Sequence, residues 1–129
     1  MADDQEHFEA GMDVRRAMFG AAGAEGRLDA ASGFNRPLEE IITRYCFGEV
    51  WNRPPLDRKT RSMLTIAILS VLAKPTQIKT HVRGAIANGV TPEEIREVLL
   101  HVMIYGGVPA AADAFIHARE VLQEMGLDQ

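Results

Sequence analysis

MLTIAILSVL, residues 63–72, is the stretch of sequence that decides the fold. On a helix with about 100° between successive residues, its apolar side chains leave no wide polar face. A helix that is apolar on all sides is surrounded by other helices or by another subunit. We therefore predict a buried helix over residues 58–73, the third of the chain. We expect part of it, or of the fifth helix, to be covered by a second subunit.

Two further helices are predicted on the N-terminal side of this stretch. The first spans about residues 7–19 and is followed by a Gly/Ala-rich break over residues 20–26. Asn35 is expected to cap the second helix, in which Pro37 is tolerated because it falls in the first turn. Gly48 and the Pro54-Pro55 pair are then expected to interrupt this second helix.

Three more helices follow on the C-terminal side. Pro75 begins the fourth helix, and a capping box formed by Thr91 and Glu94 opens the fifth. Glycines are expected to end both of these helices. Pro109 starts a sixth helix, which should stop near Gly126. Without any strand-like alternation, the pattern predicts an all-α, compact six-helix bundle that is oligomeric.

Length and charge restrict the class of protein. The 129 residues fit a single domain spanning residues 1–129. The 18 acidic and 14 basic residues give a net charge of −4 without a basic block, so we expect no nucleic-acid partner. No apolar run reaches the roughly 20 residues that a membrane helix needs, so no membrane association is expected. Since the N-terminus is acidic and unlike a secretory signal, we expect a cytoplasmic protein.

The single cysteine, Cys46, limits redox chemistry. One thiol cannot form an intrachain disulfide, and no CxxC pair is present for redox or zinc chemistry. We interpret Cys46 as a small, packed apolar residue rather than as a nucleophile.

Polar residues on the apolar fifth helix are the first candidates for chemistry. Glu97 and His101 are four residues apart, and Tyr105 continues the same strip one turn later. A carboxylate at this spacing can orient an imidazole and raise its proton affinity. The alternative is a Glu–His pair on a solvated edge. The spacing also suits metal ligands, but two ligands without an HExxH motif are a weak signal, and we expect no metal.

Three other residues are candidates, each with a structural alternative. His81 lies on the margin of the apolar stripe of the fourth helix and is either catalytic or a partly buried packing residue. Arg61 lies near the start of the third helix, where its guanidinium needs a carboxylate from the protein or from a ligand. Trp51, before the Pro54-Pro55 turn, either lines a pocket or fills the end of the bundle.

The sequence also resembles a known family. FGEVWNRPPLDRKTRS, residues 47–62, is similar to the signature of the carboxymuconolactone decarboxylases, in which a tryptophan, an Arg-Pro and an LDxxxRS run join two helices. The resemblance continues through HVRGA (81–85), NGVTPEEIREVLLH (88–101) and YGGVPAAADAF (105–115). The N-terminal HFEAGMDVRRAMFG (7–20) belongs to it as well. It covers nearly the whole chain.

This resemblance implies an all-α fold of the alkylhydroperoxidase-like superfamily that assembles into homotrimers or hexamers. It implies cofactor-free decarboxylation of 4-carboxymuconolactone, a small-molecule lactone dicarboxylate, in the protocatechuate branch of the β-ketoadipate pathway. The peroxidase branch of the superfamily carries cysteines where this chain has Lys74 and Gln77. The sequence therefore fits the branch without CxxC.

Roles for the candidate residues follow as hypotheses. Arg61 would anchor the carboxylate that is retained, with Trp51 and Tyr105 as further substrate-binding residues. His81 would donate the proton or bind the dienolate oxygen, and His101, oriented by Glu97, is the alternate. Two other functions stay open: a related decarboxylase or lactone-processing enzyme acting on another small acid, and a non-catalytic oligomeric protein that binds small acids.

Overall fold

A computed structural model describes residues 3–129. These residues form seven α-helices and no β-strand, which confirms the all-α prediction. The helices are α1 (Asp4–Phe19), α2 (Glu25–Ala30), α3 (Arg36–Ile41), α4 (Arg58–Val71), α5 (Pro75–Ala87), α6 (Pro92–Gly106) and α7 (Val108–Glu124). A π-helix, Ile42–Glu49, continues α3, and 3₁₀ segments occupy Ala21–Gly23 and Val50–Asn52. Within residues 3–129, no helix is both long and apolar enough to cross a membrane.

The predicted helix count was one too low, because no helix was expected between the break over residues 20–26 and Asn35. Helix α2 begins inside that break and continues to Ala30. The glycines and alanines of the break favour a loop, but Leu28 on α2 is buried in a small cluster with Met12 and Ala24. Tertiary packing therefore outweighs local propensity here. Asn35 occupies the N-cap position of α3, as predicted, but its side chain makes no capping hydrogen bond. Its Oδ1 accepts a hydrogen bond from the Ser32 backbone N–H, 2.8 Å away.

The chain divides into two compact units, residues 3–58 and residues 59–129. The first contains α1 to α3 and the π-helix, and the second contains all of α4 to α7 except the first residue of α4. The single domain expected from chain length stays a prediction.

In the first unit, α1 crosses the π-helix at a distance that only glycine allows. A Cβ atom on Gly11 would overlap the backbone oxygen of Thr43, and one on Gly48 would overlap that of His7. Two glycines, one on each helix, thus let the two backbones touch.

A buried arginine joins the same elements. The Arg15 side chain, on α1, donates hydrogen bonds to Glu39 on α3 at 2.9 Å and to Thr43 Oγ1 at 3.0 Å. Its Nε donates to the Gly23 carbonyl at 3.0 Å, and its guanidinium lies 5.6 Å from the Phe47 ring centroid. A desolvated guanidinium with this many partners fixes three segments around α1.

The second unit has one apolar core, to which all four of its helices contribute. Ile66 from α4 is fully buried and shares this core with residues of α5, α6 and α7. The buried members are Ile66, Ile78, Val82, Ala85, Val90, Ile95, Leu99, Ala114, Ala118 and Val121. Helices α5, α6 and α7 each place residues three or four apart in this core, as amphipathic helices do. On α4, the partly buried Met63 and Leu69 lie three residues to either side of Ile66.

Three contacts define how α4, α5 and α6 run. Asn88 Nδ2, at the end of α5, donates to Ser62 Oγ, near the start of α4, at 3.0 Å, so these two helices are antiparallel. Lys59 Nζ pairs with Glu94 at 3.0 Å, and twelve residues later on each helix Val71 lies against Gly106. Equal spacing between the two contacts means that α4 and α6 are parallel and in register.

The start and stop signals of α5 and α6 are confirmed. Thr91 Oγ1 accepts from the Glu94 backbone N–H at 3.1 Å, and the Glu94 carboxylate accepts from the Thr91 backbone N–H at 3.0 Å. The hydrogen bond from the Thr91 backbone N–H is the main reason why the pKa of Glu94 lies below its usual value, and the ion pair with Lys59 is the second. Gly89 and Gly107, with φ of +91° and +101°, end the two helices in a conformation that suits glycine.

Leu64, Ile68 and Leu72 on α4 are about half exposed in the single chain. The second subunit that was expected to cover part of this helix stays a prediction. The expectation that Cys46 is packed was wrong. Cys46 is exposed on the π-helix and is not packed. The π-helix shifts the register of side chains in a way that a 3.6-residue repeat does not anticipate.

Candidate active site

The six predicted site residues fall in both units. Arg61 is on α4, His81 is on α5, and Glu97, His101 and Tyr105 are on α6, all in the second unit. Trp51 is the exception and belongs to the first unit.

Among the ionisable groups of residues 3–129, His81 has the pKa that is shifted most. It is half-buried between two core residues of α5, Ile78 and Val82, as its position on the margin of the apolar stripe predicts. Burial lowers the pKa of His81 to about 4, since the apolar surroundings disfavour the charged ring. The imidazole is therefore neutral at pH 7, when it has one N–H donor and one acceptor nitrogen.

Arg61 lies on α4, the antiparallel neighbour of the helix that carries His81. Its half-buried side chain leaves α4 next to Ser62, which accepts the hydrogen bond from Asn88. His81 is seven residues before Asn88 on the antiparallel α5, or about 10 Å along the helix axis at 1.5 Å per residue.

The expected pairing of Glu97 with His101 is not formed. The Glu97 carboxylate accepts a hydrogen bond from Nε of the adjacent Arg96 at 2.9 Å. The His101 ring lies against Tyr105, with 5.0 Å between ring centroids. In the single chain all three predicted residues are exposed, and Tyr105 is 81% exposed. The guanidinium of Arg96 is charged, flexible and adjacent in sequence, so it binds the exposed Glu97 carboxylate in place of the imidazole one turn away.

Trp51 has a packing role in the first unit. Its ring centroid lies 5.7 Å from that of Phe47, and it joins the cluster that contains Val14 and Met18. This packing accounts for the side chain without a ligand. Substrate binding by Trp51 stays a prediction.

A groove between α6, α7 and the C-terminal residues has the size of a small-molecule site. Its volume is about 590 Å³, and its floor is apolar, with Leu99 and Phe115 among its lining. Two arginines border it, and both already have carboxylate partners: Arg96 pairs with Glu97, and Arg119 pairs with Asp128 at 2.9 Å. In the described part of the chain, this groove is lined by none of the six predicted site residues.

An open cavity in the first unit contains residues that sequence reasoning did not select. It measures about 540 Å³ and is lined in part by Arg53, Pro54 and Arg58, which lie in the 47–62 signature. Arg58 donates to Asn52 Oδ1 at 3.0 Å, while Asn52 Nδ2 donates to the carbonyls of Phe47 and Gly48, both at 3.2 Å. Asn52 thus ties the end of the π-helix to Arg58. The signature itself was the available signal for these residues.

Potential metal ligands do not cluster. Among residues 3–129, no group of three or more His, Cys, Asp or Glu side chains is placed to hold a metal ion.

Comparison with known proteins identifies the family. The model of the carboxymuconolactone decarboxylase family matches residues 36–120. The chain is 36% identical, over 125 residues, to a 4-carboxymuconolactone decarboxylase of Acinetobacter baylyi, covering 97% of this chain and 93% of that protein. It is 41% identical over 118 residues to a nitrosuccinic acid decarboxylase of Metarhizium robertsii, covering 92% of this chain and 82% of that protein.

A third relative carries no activity in its name. An uncharacterised 15.0 kDa protein of Paracoccus denitrificans is 33% identical over 123 residues, covering 93% of this chain and 90% of that protein. The family match spans most of the chain, and the two named relatives align over nearly all of it. The chain belongs to the carboxymuconolactone decarboxylase family.

Proposed function

We propose that the protein is a cofactor-free carboxy-lyase that converts 4-carboxymuconolactone to 3-oxoadipate enol-lactone in the protocatechuate branch of the β-ketoadipate pathway. The observation that carries the proposal is His81, a neutral imidazole at the edge of an apolar core, in a chain whose two named relatives are both decarboxylases. A cytoplasmic location is part of the proposal and rests on the sequence expectation alone.

The substrate supplies its own electron sink. When the carboxylate leaves as carbon dioxide, its bonding electrons pass into the lactone ring and on to the carbonyl oxygen, giving a dienolate. A proton then returns to ring carbon. The protein must therefore bind the retained carboxylate, stabilise the oxygen that gains charge, and deliver one proton.

The described residues suit these three tasks. Arg61 would bind the retained carboxylate, because a guanidinium matches a carboxylate in a two-bond geometry and keeps its charge at all working pH values. His81 would stabilise the dienolate oxygen. His101 would deliver the proton, with Tyr105, whose ring it contacts, bordering the substrate.

Burial favours one of the two roles considered for His81. With a pKa near 4, the ring carries little positive charge at pH 7, so it is a poor source of a proton as imidazolium. A neutral imidazole still donates an N–H hydrogen bond to a developing oxyanion, and that bond is strong in an apolar setting. We therefore assign His81 to the oxygen, and leave protonation to His101.

Nitrosuccinic acid is a second candidate substrate, favoured by the 41% identity to the Metarhizium enzyme. It is also a dicarboxylate, and loss of the carboxylate beside the nitro group places the electrons on the nitro oxygens. The resulting nitronate needs the same three groups: a cation for the retained carboxylate, a donor to an oxyanion and a proton for carbon. The same residues would serve either acid.

Assembly as a homo-oligomer, a trimer or a hexamer, is also part of the proposal. It is supported by the apolar residues that α4 and α6 expose in the single chain.

The test is turnover of both acids by the purified protein, followed by ultraviolet absorbance for the lactone and by carbon dioxide release for either. We expect turnover of 4-carboxymuconolactone with a kcat/KM at least ten-fold above that for nitrosuccinate. The reverse order would reassign the substrate. Binding of a lactone analogue without carbon dioxide release from either acid would instead identify a non-catalytic protein that binds small acids.

A further inference from the structure

The groove between α6, α7 and residues 127–129 combines an apolar floor with a charged rim. Leu99 from α6 and Phe115 from α7 belong to the floor. Arg96 and Arg119 lie at the rim, with side chains that are 55% and 68% exposed. A volume of about 590 Å³, with a few polar groups above apolar side chains, is typical of a site for a small molecule.

The two arginines lie on facing walls of this groove. Helices α6 and α7 contact each other and are joined by one residue, Gly107, so they run antiparallel. Arg96 comes eleven residues before Gly107 and Arg119 comes twelve residues after it, so they lie at nearly the same height along the helix axes. Leu99 and Phe115, each eight residues from Gly107, face each other in the same way. The groove thus has a positive side chain on each wall.

Asp128 marks a position where this groove accepts a carboxylate. Its Oδ2 accepts hydrogen bonds from Arg119 Nε at 2.9 Å and from Gln123 Nε2 at 3.3 Å. A turn after α7 brings Asp128 back to the groove, because Gly126 has φ of +71° and the Leu127 N–H donates to a carbonyl of α7. The Asp128 side chain is therefore a model, within the chain, for the acid group of a ligand.

We propose that the groove binds a small monocarboxylic acid whose carboxylate replaces Asp128 at Arg119 and whose apolar body covers Leu99 and Phe115. One carboxylate leaves the guanidinium as another arrives, so the charge around Arg119 is unchanged. The ion pair that is given up is largely in solvent and therefore weak. Burial of the apolar body then supplies the driving force for binding.

The lining of the groove favours one carboxylate over two. Glu93 and Asp128 line it together with the two arginines. A second carboxylate on the ligand would lie over the apolar floor or near Glu93, where desolvation or repulsion disfavours it. The expected ligand thus differs from the dicarboxylates that we propose as substrates.

The length of the groove suggests a probe. From Pro92 to Leu99 its lining extends over seven residues of α6, or about 10 Å. 3-Phenylpropionate, an aromatic ring on a short chain that ends in a carboxylate, has about this length. Acetate lacks the apolar body and 3-phenylpropanol lacks the charge, so the three compounds test the two halves of the site separately.

Isothermal titration calorimetry on the full chain is the measurement. Arg119→Ala removes the proposed anchor. Its control is Arg83→Ala, at an exposed arginine of α5 that pairs with Glu124. Asp128→Asn removes the carboxylate that occupies Arg119, and Glu124→Gln makes the matching change in the control pair. Circular dichroism checks that each variant keeps its helices.

We expect the parent to bind one 3-phenylpropionate per chain with a Kd below about 1 mM. Arg119→Ala should bind it at least about 10-fold more weakly, since a charged hydrogen-bonded contact is lost. Asp128→Asn should bind it about two- to five-fold more tightly, because the competing carboxylate is gone. Both control variants should match the parent, and acetate and 3-phenylpropanol should bind at least about 10-fold more weakly than the probe.

Four results would overturn the proposal. Failure of the parent to bind the probe would overturn the site, and a groove filled by a second copy of the chain would give that result. Equal affinity of Arg119→Ala and Arg83→Ala would exclude Arg119 as the anchor. An Asp128→Asn variant that binds no more tightly than the parent would exclude the exchange of carboxylates. Loss of binding in Arg61→Ala would place the probe in the proposed active site instead.

Discussion

Gly11 on α1 faces the backbone oxygen of Thr43 so closely that no side chain fits between them. We expect Gly11→Ala to lower the free energy of unfolding by about 3 kcal/mol or more, because a Cβ meeting backbone cannot be accommodated by a side-chain rotation. Urea unfolding followed by circular dichroism measures the change.

The matched control is Gly33→Ala, since an added Cβ at Gly33 meets no atom within 4 Å. This variant should unfold within about 0.5 kcal/mol of the parent. Equal stability of the Gly11 and Gly33 variants would show that the α1 crossing is looser than described.

Arg15→Met should cost about 3–5 kcal/mol, because it leaves the nearly buried Glu39 carboxylate without its cation. Arg16→Met is the control. The Arg16 side chain is 44% exposed and its ion pairs face solvent, so its loss should lower the free energy of unfolding far less than the loss of Arg15 does. Chemical denaturation of both variants gives the comparison.

A second change sharpens the Arg15 experiment. Adding Glu39→Leu to Arg15→Met should restore a large part of the lost stability, because the unpaired charge is then gone. If the double variant is as unstable as Arg15→Met alone, the loss arises from packing and not from the buried carboxylate.

The sequence was a good guide where local chemistry decides structure. The capping box at Thr91 and the glycine ends of α5 and α6 need only neighbouring residues, and all were predicted. Where a distant contact decides, prediction failed. Helix α2 was not predicted, and the burial of Leu28 against Met12 stabilises it. Cys46 was predicted to be packed, but it lies exposed on the π-helix, whose backbone contacts α1.

The site could be predicted only as a set of residue types. The position of His81 on the margin of a stripe indicated partial burial, which the structure has. The spacing of Glu97 and His101 indicated a pair, but spacing says nothing about competition from Arg96, which takes the carboxylate. Nor could sequence alone show that α4 and α6 are in register.

Burial of His81 should make stability depend on pH. The pKa of His81 is about 4 in the folded chain and about 6.5 when unfolded, so between these values the unfolded chain binds more protons. The free energy of unfolding should therefore fall as pH drops from 7 to 4, with about 3 kcal/mol of the fall due to this group. His81→Gln should lack that part.

The measurement is denaturant unfolding at pH 7 and pH 4, at one protein concentration. A parent and a His81→Gln variant that lose stability equally would show that the ring is charged in the folded state.

The pH–rate profile distinguishes the two roles of His81. As a neutral donor to the oxyanion, His81 should support a kcat/KM that does not increase as pH falls from 7 towards 4. As an imidazolium acid, it would give a kcat/KM that increases steadily over that range. His81→Asn keeps an N–H donor and should retain more activity than His81→Leu, of similar size, which has none. Equal losses in the two variants would argue against hydrogen bonding.

Two arginines offer alternative anchors for the retained carboxylate. Arg61 lies on the helix pair that carries His81, while Arg119 borders the groove of about 590 Å³ and is held by Asp128. If the substrate binds beside His81, Arg61→Ala should raise KM about 10–100-fold, the loss of one charged hydrogen-bonded contact. Arg119→Ala should leave KM within about two-fold, because its loss removes only an exposed ion pair. The reverse result would move the substrate to the groove and leave His81 as a packing residue whose low pKa has no part in the chemistry.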